Sequence, residues 1–144
     1  MLGTYPDGPV LMNKFKELAE KLTPEQNRLW AIACAELVLP VFEEKYPDDD
    51  RPRLAIDAAK NKSPDAANRV ASDAWTADAA GDAAYASEAT WSVWADSAWA
   101  ASEAAFAAFA DAAHHAAWAA SAAEQAGAKT EEILQLGEEI REQV

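Results

Sequence analysis

Apolar positions recur at helical spacing along most of the chain, and the breaks between runs coincide with proline, glycine and capping residues. Residues 1–12 hold Pro6, Gly8 and Pro9 and read as an irregular arm ending in the apolar anchor Val10 to Met12. Asn13 is placed to cap a short helix through Leu22. Thr23-Pro24-Glu25-Gln26 then combines an N-cap residue, a proline at the first helical position and a glutamine three residues after the threonine, the arrangement of a capping box. The helix it starts carries Trp30, Cys34, Leu37 and Val41, with Leu29, Ile32 and Ala33 alongside, a stripe wide enough to be mostly buried. Pro40 removes the amide that would bond the Glu36 carbonyl, which predicts a kink or an end near Leu39 and resumption toward Tyr46.

The stretch KYPDDDRPR, residues 45–53, reads as a corner. Pro47 holds Tyr46 out of helical geometry, Asp48, Asp49 and Asp50 offer N-cap acceptors, and Pro52 suits the first turn of a helix through LAIDAAKNK. Carboxylates at that start also meet the positive end of the helix dipole, and Arg51 and Arg53 are close enough to neutralise part of the cluster. Three neighbouring acids suggest a hard cation as well. A calcium loop, however, spaces its oxygen ligands at alternate positions around a glycine and closes with a distant glutamate, none of which is present.

The segment LWAIACAELVLPVFEEKYPDDDRPRLAIDAAK, residues 29–60, resembles family five of the immunity proteins of polymorphic-toxin systems. In that family a helix reading LWA-x-x-CAE-x-VLP runs into FEEKYP-x-DDRPR and then A-I-x-A-A. The resemblance implies a cytosolic protein that neutralises a toxin by binding it, with the corner residues Tyr46, Asp48, Asp49, Asp50, Arg51 and Arg53 as the family-specific feature.

Ser63-Pro64 opens the next helix with a cap and a first-turn proline. No proline follows, and one helix from Pro64 to Ala126 would span about 95 Å at 1.5 Å per residue, too long for a domain of this size to cover. Gly81-Asp82 is the best turn, and a second is predicted near Ser97 or Ser102. Gly127 closes this region, and Thr130-Glu131-Glu132 starts a final amphipathic helix carrying Ile133, Leu134, Leu136 and Ile140. In the alanine-rich half Trp75, Tyr85, Trp91, Trp94, Trp99, Phe106, Phe109 and Trp118 are expected to supply the volume that alanine lacks. Trp91, Trp94 and Ala98 share one face, and Phe106, Phe109 and Ala113 another. Short units such as DAAY and EAAF recur without a fixed period, so this is biased composition and no repeat array.

Composition bears mainly on the partner. The chain of 144 residues has a formal net charge of −13, and eight of those charges arise in residues 63–128, where nine acids face Arg69 alone. Asp73, Asp78, Asp82, Glu88, Asp96, Glu103 and Asp111 lie along this region. On a continuous helix the acids at 88, 96, 103 and 111 would fall within about 140° of arc, an acidic ridge on the solvated side. Such a field disfavours nucleic acid and anionic membrane as partners and favours a basic protein. Acids that merely keep an alanine-rich protein soluble would look the same.

Chemistry is sparse. Asp111, His114 and His115 offer a carboxylate and imidazoles at i, i+3 and i+4, but a helical metal centre needs matching motifs from other helices, and these are the only two histidines. Cys34, the single cysteine, sits on an apolar stripe with no basic neighbour to activate it, and it excludes an intrachain disulfide. No phosphate loop, serine elbow or paired-cysteine motif is present, and no cofactor is implied. No run approaches the ~18 to 20 apolar residues of a membrane span, and no secretory signal is recognisable, so a cytoplasmic location is expected.

The expected fold is therefore all-α: a compact bundle of about six helices in one domain over 1–144, with an alanine- and tryptophan-rich C-terminal half. Its parts are the arm 1–12, N-terminal helices with the corner over 13–62, alanine-rich acidic helices over 63–128 and a C-terminal helix over 129–144. The expected function is non-enzymatic binding of a basic toxin domain, such as a nuclease. A phage-type acidic inhibitor, presenting carboxylates where a host defence or nucleic-acid enzyme expects phosphates, is the alternative. Exposed alanine-rich faces also leave room for a homodimer.

Overall fold

The Thr23 capping box forms as its residues predict: the Thr23 hydroxyl accepts the Gln26 amide at 3.1 Å and the Gln26 side chain accepts the Thr23 amide at 2.9 Å. It starts the longest helix of a computed structural model that describes residues 8–60, 93–107 and 111–143. Six α-helices and no strand occur among the described residues. They are α1 (Gly8–Lys21), α2 (Pro24–Lys45), α3 (Arg51–Lys60), α4 (Val93–Ala107), α5 (Ala112–Gln125) and α6 (Thr130–Glu142). Helices α2, α4 and α5 pack mutually as the centre; α3 lies on α4 and α2, while α1 and α6 cover the side formed by α2 and α5.

Helix α1 begins at Gly8, five residues before the Asn13 cap expected from sequence. Gly8 and Pro9 occupy its first turn, where amides have no intrahelical acceptor, so neither residue interrupts it. Its last carbonyls are satisfied from α2: the buried Asn27 amide donates to Ala19 O at 2.9 Å and to Leu22 O at 3.3 Å. Helix α2 continues through Pro40 as one element, where a kink or end was expected. Pro40 is exposed, on the same strip as Leu29, Glu36 and Glu44, so the Glu36 carbonyl that loses its amide partner faces the side where water can replace it. The expected buried stripe is correspondingly rotated: Trp30 and Cys34 are buried, Leu37 and Val41 are only partly covered, and Leu29 is exposed.

The alanine-rich half departs most from expectation. Helix α4 runs unbroken through Ser97 and Ser102, so no turn occurs there; both serines are buried, and Ser97 Oγ donates to Val38 O on α2 at 2.6 Å. A serine is little larger than alanine and its hydroxyl can bond a carbonyl of a packed helix, which lets it stand inside a helix contact. The described break lies instead at Asp111, whose extended backbone starts the next helix at Ala112 and whose side chain accepts the His114 amide at 3.1 Å as N-cap. The interface between α2, α4 and α5 is lined by buried alanines, among them Ala101, Ala105, Ala116 and Ala120, while Trp99 and Phe106 are half-buried and Trp118 is exposed. These three aromatics therefore stand at its margin, and the largest buried side chains among the described residues are Phe15, Trp30, Phe42, Ile56 and Ile133. The Gly81-Asp82 turn, Trp75, Tyr85 and Trp91, and the side chains of Trp94 and Phe109, lie outside the described residues.

Gly127 closes α5 at φ 116° in a Schellman arrangement, with the Gly127 amide bonded to Glu124 O and the Ala128 amide to Ala123 O, each at 3.0 Å. The reversal lays α6 against α1 and α2. Ile133 is fully buried there, and Trp30 Nε1 donates to its carbonyl at 3.0 Å. One turn later a Cβ on Gly137 would meet Leu18 Cδ2 at 2.5 Å and the Trp30 ring at 3.1 Å. Replacing Gly137 by valine should overpack this contact and lower the unfolding free energy by about 1–3 kcal/mol, read as a lower urea midpoint with an unchanged slope.

Candidate partner-binding surface

The corner is built from the C-terminus of α2. Phe42 is buried against Ala95 and Ala98 of α4, and the Tyr46 ring stacks on it at 5.1 Å between centroids, which fixes the C-cap residue. The Asp49 amide bonds the Tyr46 carbonyl at 3.1 Å, turning the chain. Asp49 then accepts the Arg51 amide at 3.2 Å and its guanidinium twice, at 2.9 and 2.6 Å. This bidentate bond from Arg51 holds the Asp49 carboxyl below the ordinary carboxylate range, against the opposing effect of burial.

Arg53 does not join the aspartates, as adjacency in sequence suggested. It reaches back along α2 to Glu43 through two bonds of 2.7 and 2.6 Å. One turn of helix carries Arg53 away from the corner, toward the neighbouring helix that α3 lies on. At the other end of α3, Lys60 pairs with Glu36 at 2.5 Å, and the buried Arg28, itself held by Glu25, donates to Ala59 O. Exposed pairs such as Arg53–Glu43 and Lys60–Glu36 contribute little individually. The buried Arg28 matters more, because removing its partners would strand a charge. These ties hold α3 on α2 along its length. They leave Asp48, Asp50 and Glu44 exposed at one end of a rigid support.

The acidic ridge is not continuous. Asp96 and Glu103 lie on α4, whereas Asp111 is the non-helical N-cap of α5. Glu103 is half-buried and its Oε2 lies 2.7 Å from His115 Nδ1. Asp96 is half-buried, and desolvation together with the nearby Glu124 pushes its pKa up to about 6. Of these three only Asp111 is exposed. Asp73, Asp78, Asp82 and Glu88 lie outside the described residues.

His114 and His115 part company. His115 stacks on Phe106 at 5.2 Å, whereas His114 is exposed and packs edge-on against Trp118 at 6.2 Å. Among the described residues no group of three His, Cys, Asp or Glu side chains is placed to hold a metal ion. Cys34 is fully buried, and burial pushes its thiol pKa up, the opposite of what a nucleophile needs. No described helix is long and apolar enough to cross a membrane.

With this arrangement in view, comparison with known families is decisive. A family model described as Imm-5 like putative immunity protein matches residues 17–144, thus covering all six helices apart from the first turns of α1. The chain belongs to that family. The match takes in the segment 29–60 and, as the resemblance of the downstream helices implied, the alanine-rich region after it. No curated protein and no solved structure matches the chain. A histidine at the bundle surface, packed by Trp118, is what the sequence suggested and what His114 is, but the exposure of Trp118 itself was missed in this Imm-5 like chain. Its signal was present in AAHHAAWAASAAEQ, a helix with one acid and no lysine or arginine.

The raised pKa of Asp96 has a definite sign. A carboxyl whose folded pKa exceeds its unfolded value contributes stability while protonated and loses that contribution as pH rises through the folded value. Asp96→Asn should therefore raise the melting temperature at pH 8, and the gain should shrink between pH 6 and 4, as followed by circular dichroism.

Proposed function

We propose that this chain is a non-enzymatic immunity protein that neutralises a cognate toxin by binding it, and that the bound toxin domain is basic, as a nuclease is. The observation that carries the reading is the family match over residues 17–144. The net charge of −13 supports the sign of the partner, since a surface of one sign raises the association rate of the opposite sign and repels anionic competitors.

The KYPDDDRPR corner is the better-supported docking surface among the described acids. Asp48 and Asp50 are exposed beside an Asp49 already committed to Arg51, so they can meet lysine or arginine on a partner without rearrangement of the turn. Asp96 and Glu103 are half-buried and suit that role less; Asp73, Asp78, Asp82, Glu88 and Asp111 extend the same acidic character along the chain. Binding at a basic active-site cleft would occlude the phosphate-binding groups of a nuclease and so block its substrate.

Affinity capture from the native host, with nuclease treatment and low-salt washes, should return a stoichiometric basic toxin fragment. With that fragment in hand, the double variant Asp48→Lys and Asp50→Lys should slow association by about tenfold or more at low salt and less at high salt. Unchanged association and unchanged protection would remove the corner from the interface. Capture of a DNA-processing host enzyme in place of a toxin would transfer the function to inhibition of that enzyme.

A further inference from the structure

The outward strip of α5 is unlike the rest of this acidic molecule. At 100° per residue, Asp111, His114, His115, Trp118, Ser121, Ala122 and Gln125 fall within about 120° of arc and extend for about 21 Å. Asp111, His114 and Trp118 are exposed, and the other four are half-buried. The strip is free of charged side chains beyond its cap, because the one acid within α5, Glu124, points off it toward Asp96. Trp118 stands at its midpoint with 43% of its surface exposed. Its surroundings are already ordered: His114 lies against it, His115 lies against His114 at 5.0 Å between rings, and Glu103 and Phe106 hold His115.

We propose that a second copy of the chain docks on this strip, α5 against α5, across a two-fold axis at Trp118. The proposal does not rest on the toxin reading. Two molecules of charge −13 repel each other wherever their acids meet, so copies associate only through a surface poor in acids. The strip is such a surface. The neighbouring α1, packed beside α5, adds a rim of three exposed lysines and two exposed glutamates between Lys14 and Lys21, which is not repulsive. A basic toxin, by contrast, would find few acids here to pair with.

The strip is also self-complementary, as a two-fold interface requires. An antiparallel pairing centred on Trp118 places it on its counterpart, offset for ring stacking. It sets bulky His114 opposite small Ala122 of the second copy. It sets His115 opposite Ser121, and the acceptor Asp111 opposite Gln125, whose side-chain amide donates to Ser121 Oγ at 3.3 Å within one copy. Away from the central Trp118 pair, each larger group thus meets a small one, and each terminal acceptor meets a donor.

Sedimentation velocity on the full chain, from micromolar to millimolar concentration, tests this. The native chain should show a reversible monomer–dimer equilibrium. Trp118→Glu and, independently, Ala122→Glu should each weaken it by at least about tenfold. Trp118 is exposed, so its variant should melt nearly unchanged at concentrations where the native chain is monomeric; Ala122 is partly covered, so its variant is compared with Ala122→Ser, which should fold as stably as the native chain and keep the dimer. Gln125→Lys should strengthen the dimer through Asp111 of the second copy, and by more than Gln143→Lys, which changes net charge equally at a distant exposed site. A native chain that stays monomeric throughout, or a dimer indifferent to both glutamate variants, overturns the proposal. So does loss of toxin binding, not of self-association, on Trp118→Glu.

Discussion

The indole of Trp30 is where α1 and α6 are joined to α2, the longest described helix. It is fully buried, meets Phe15 of α1 edge-on at 6.3 Å, and donates its one N–H to the Ile133 carbonyl of α6 at 3.0 Å. A tryptophan can be buried in this way only where its N–H finds an acceptor, and here the acceptor belongs to a helix more than a hundred residues away in sequence. That bond sets how closely α6 approaches α2, and the approach in turn leaves no room for a side chain at position 137. Gly137 in a helix interior, unfavourable on propensity alone, follows from the size of Trp30.

The other half of the bundle solves a different packing problem. With alanines lining the contact of α2, α4 and α5, backbones come close together, and small polar groups can be accommodated where they bond a carbonyl at once. Ser97 does this on Val38, Asn27 at the end of α1 and Arg28 at the end of α3. Each sits in the interior and ties α2 to a different neighbour. The interior polar groups thus supply the specificity of orientation that uniform alanine faces lack. Large aromatics, displaced from so narrow a contact, line its edge: Trp99 beside Phe42, Phe106 on His115, and Trp118 in solvent.

What could be read from sequence divides along the same physical line. Local chemistry was legible: the Thr23 capping box, Pro52 in the first turn of α3, the Gly127 reversal and the departure of the chain at Tyr46 each depend on residues within a few positions. What depended on which side of a helix meets a neighbour was not. Pro40 interrupts nothing because its strip faces water, Ser97 ends nothing because Val38 accepts its hydroxyl, and Arg53 turns to Glu43 because α3 lies along α2. The acidic ridge presumed one continuous helix through Asp111, and that residue is instead the extended N-cap that starts α5. At the candidate site, the corner's turn and the Asp49–Arg51 pair were foreseeable from adjacency, whereas the uncharged strip of α5 needed the structure to show which of its alanines were covered.

Charge and packing together separate the surfaces available to partners. Among the described acids, Asp48 and Asp50 are exposed at the corner between α2 and α3, mounted on a helix pair held by Arg28, Lys60 and Arg53. The strip of α5 carries almost no charge, and α5 makes its main contacts with α1, α2 and α4, while α3 rests on α4 and α2. A basic partner of the kind proposed would be drawn by the long-range field toward such a surface, whereas a like-charged copy would be repelled from it. Self-association through α5 would therefore leave Asp48 and Asp50 accessible and would double the number of acidic corners per particle. A fold of this class specifies no function by itself. If both proposed partners hold, the same surplus of acid that would attract one kind of partner would dictate, by repulsion, where the other kind could dock.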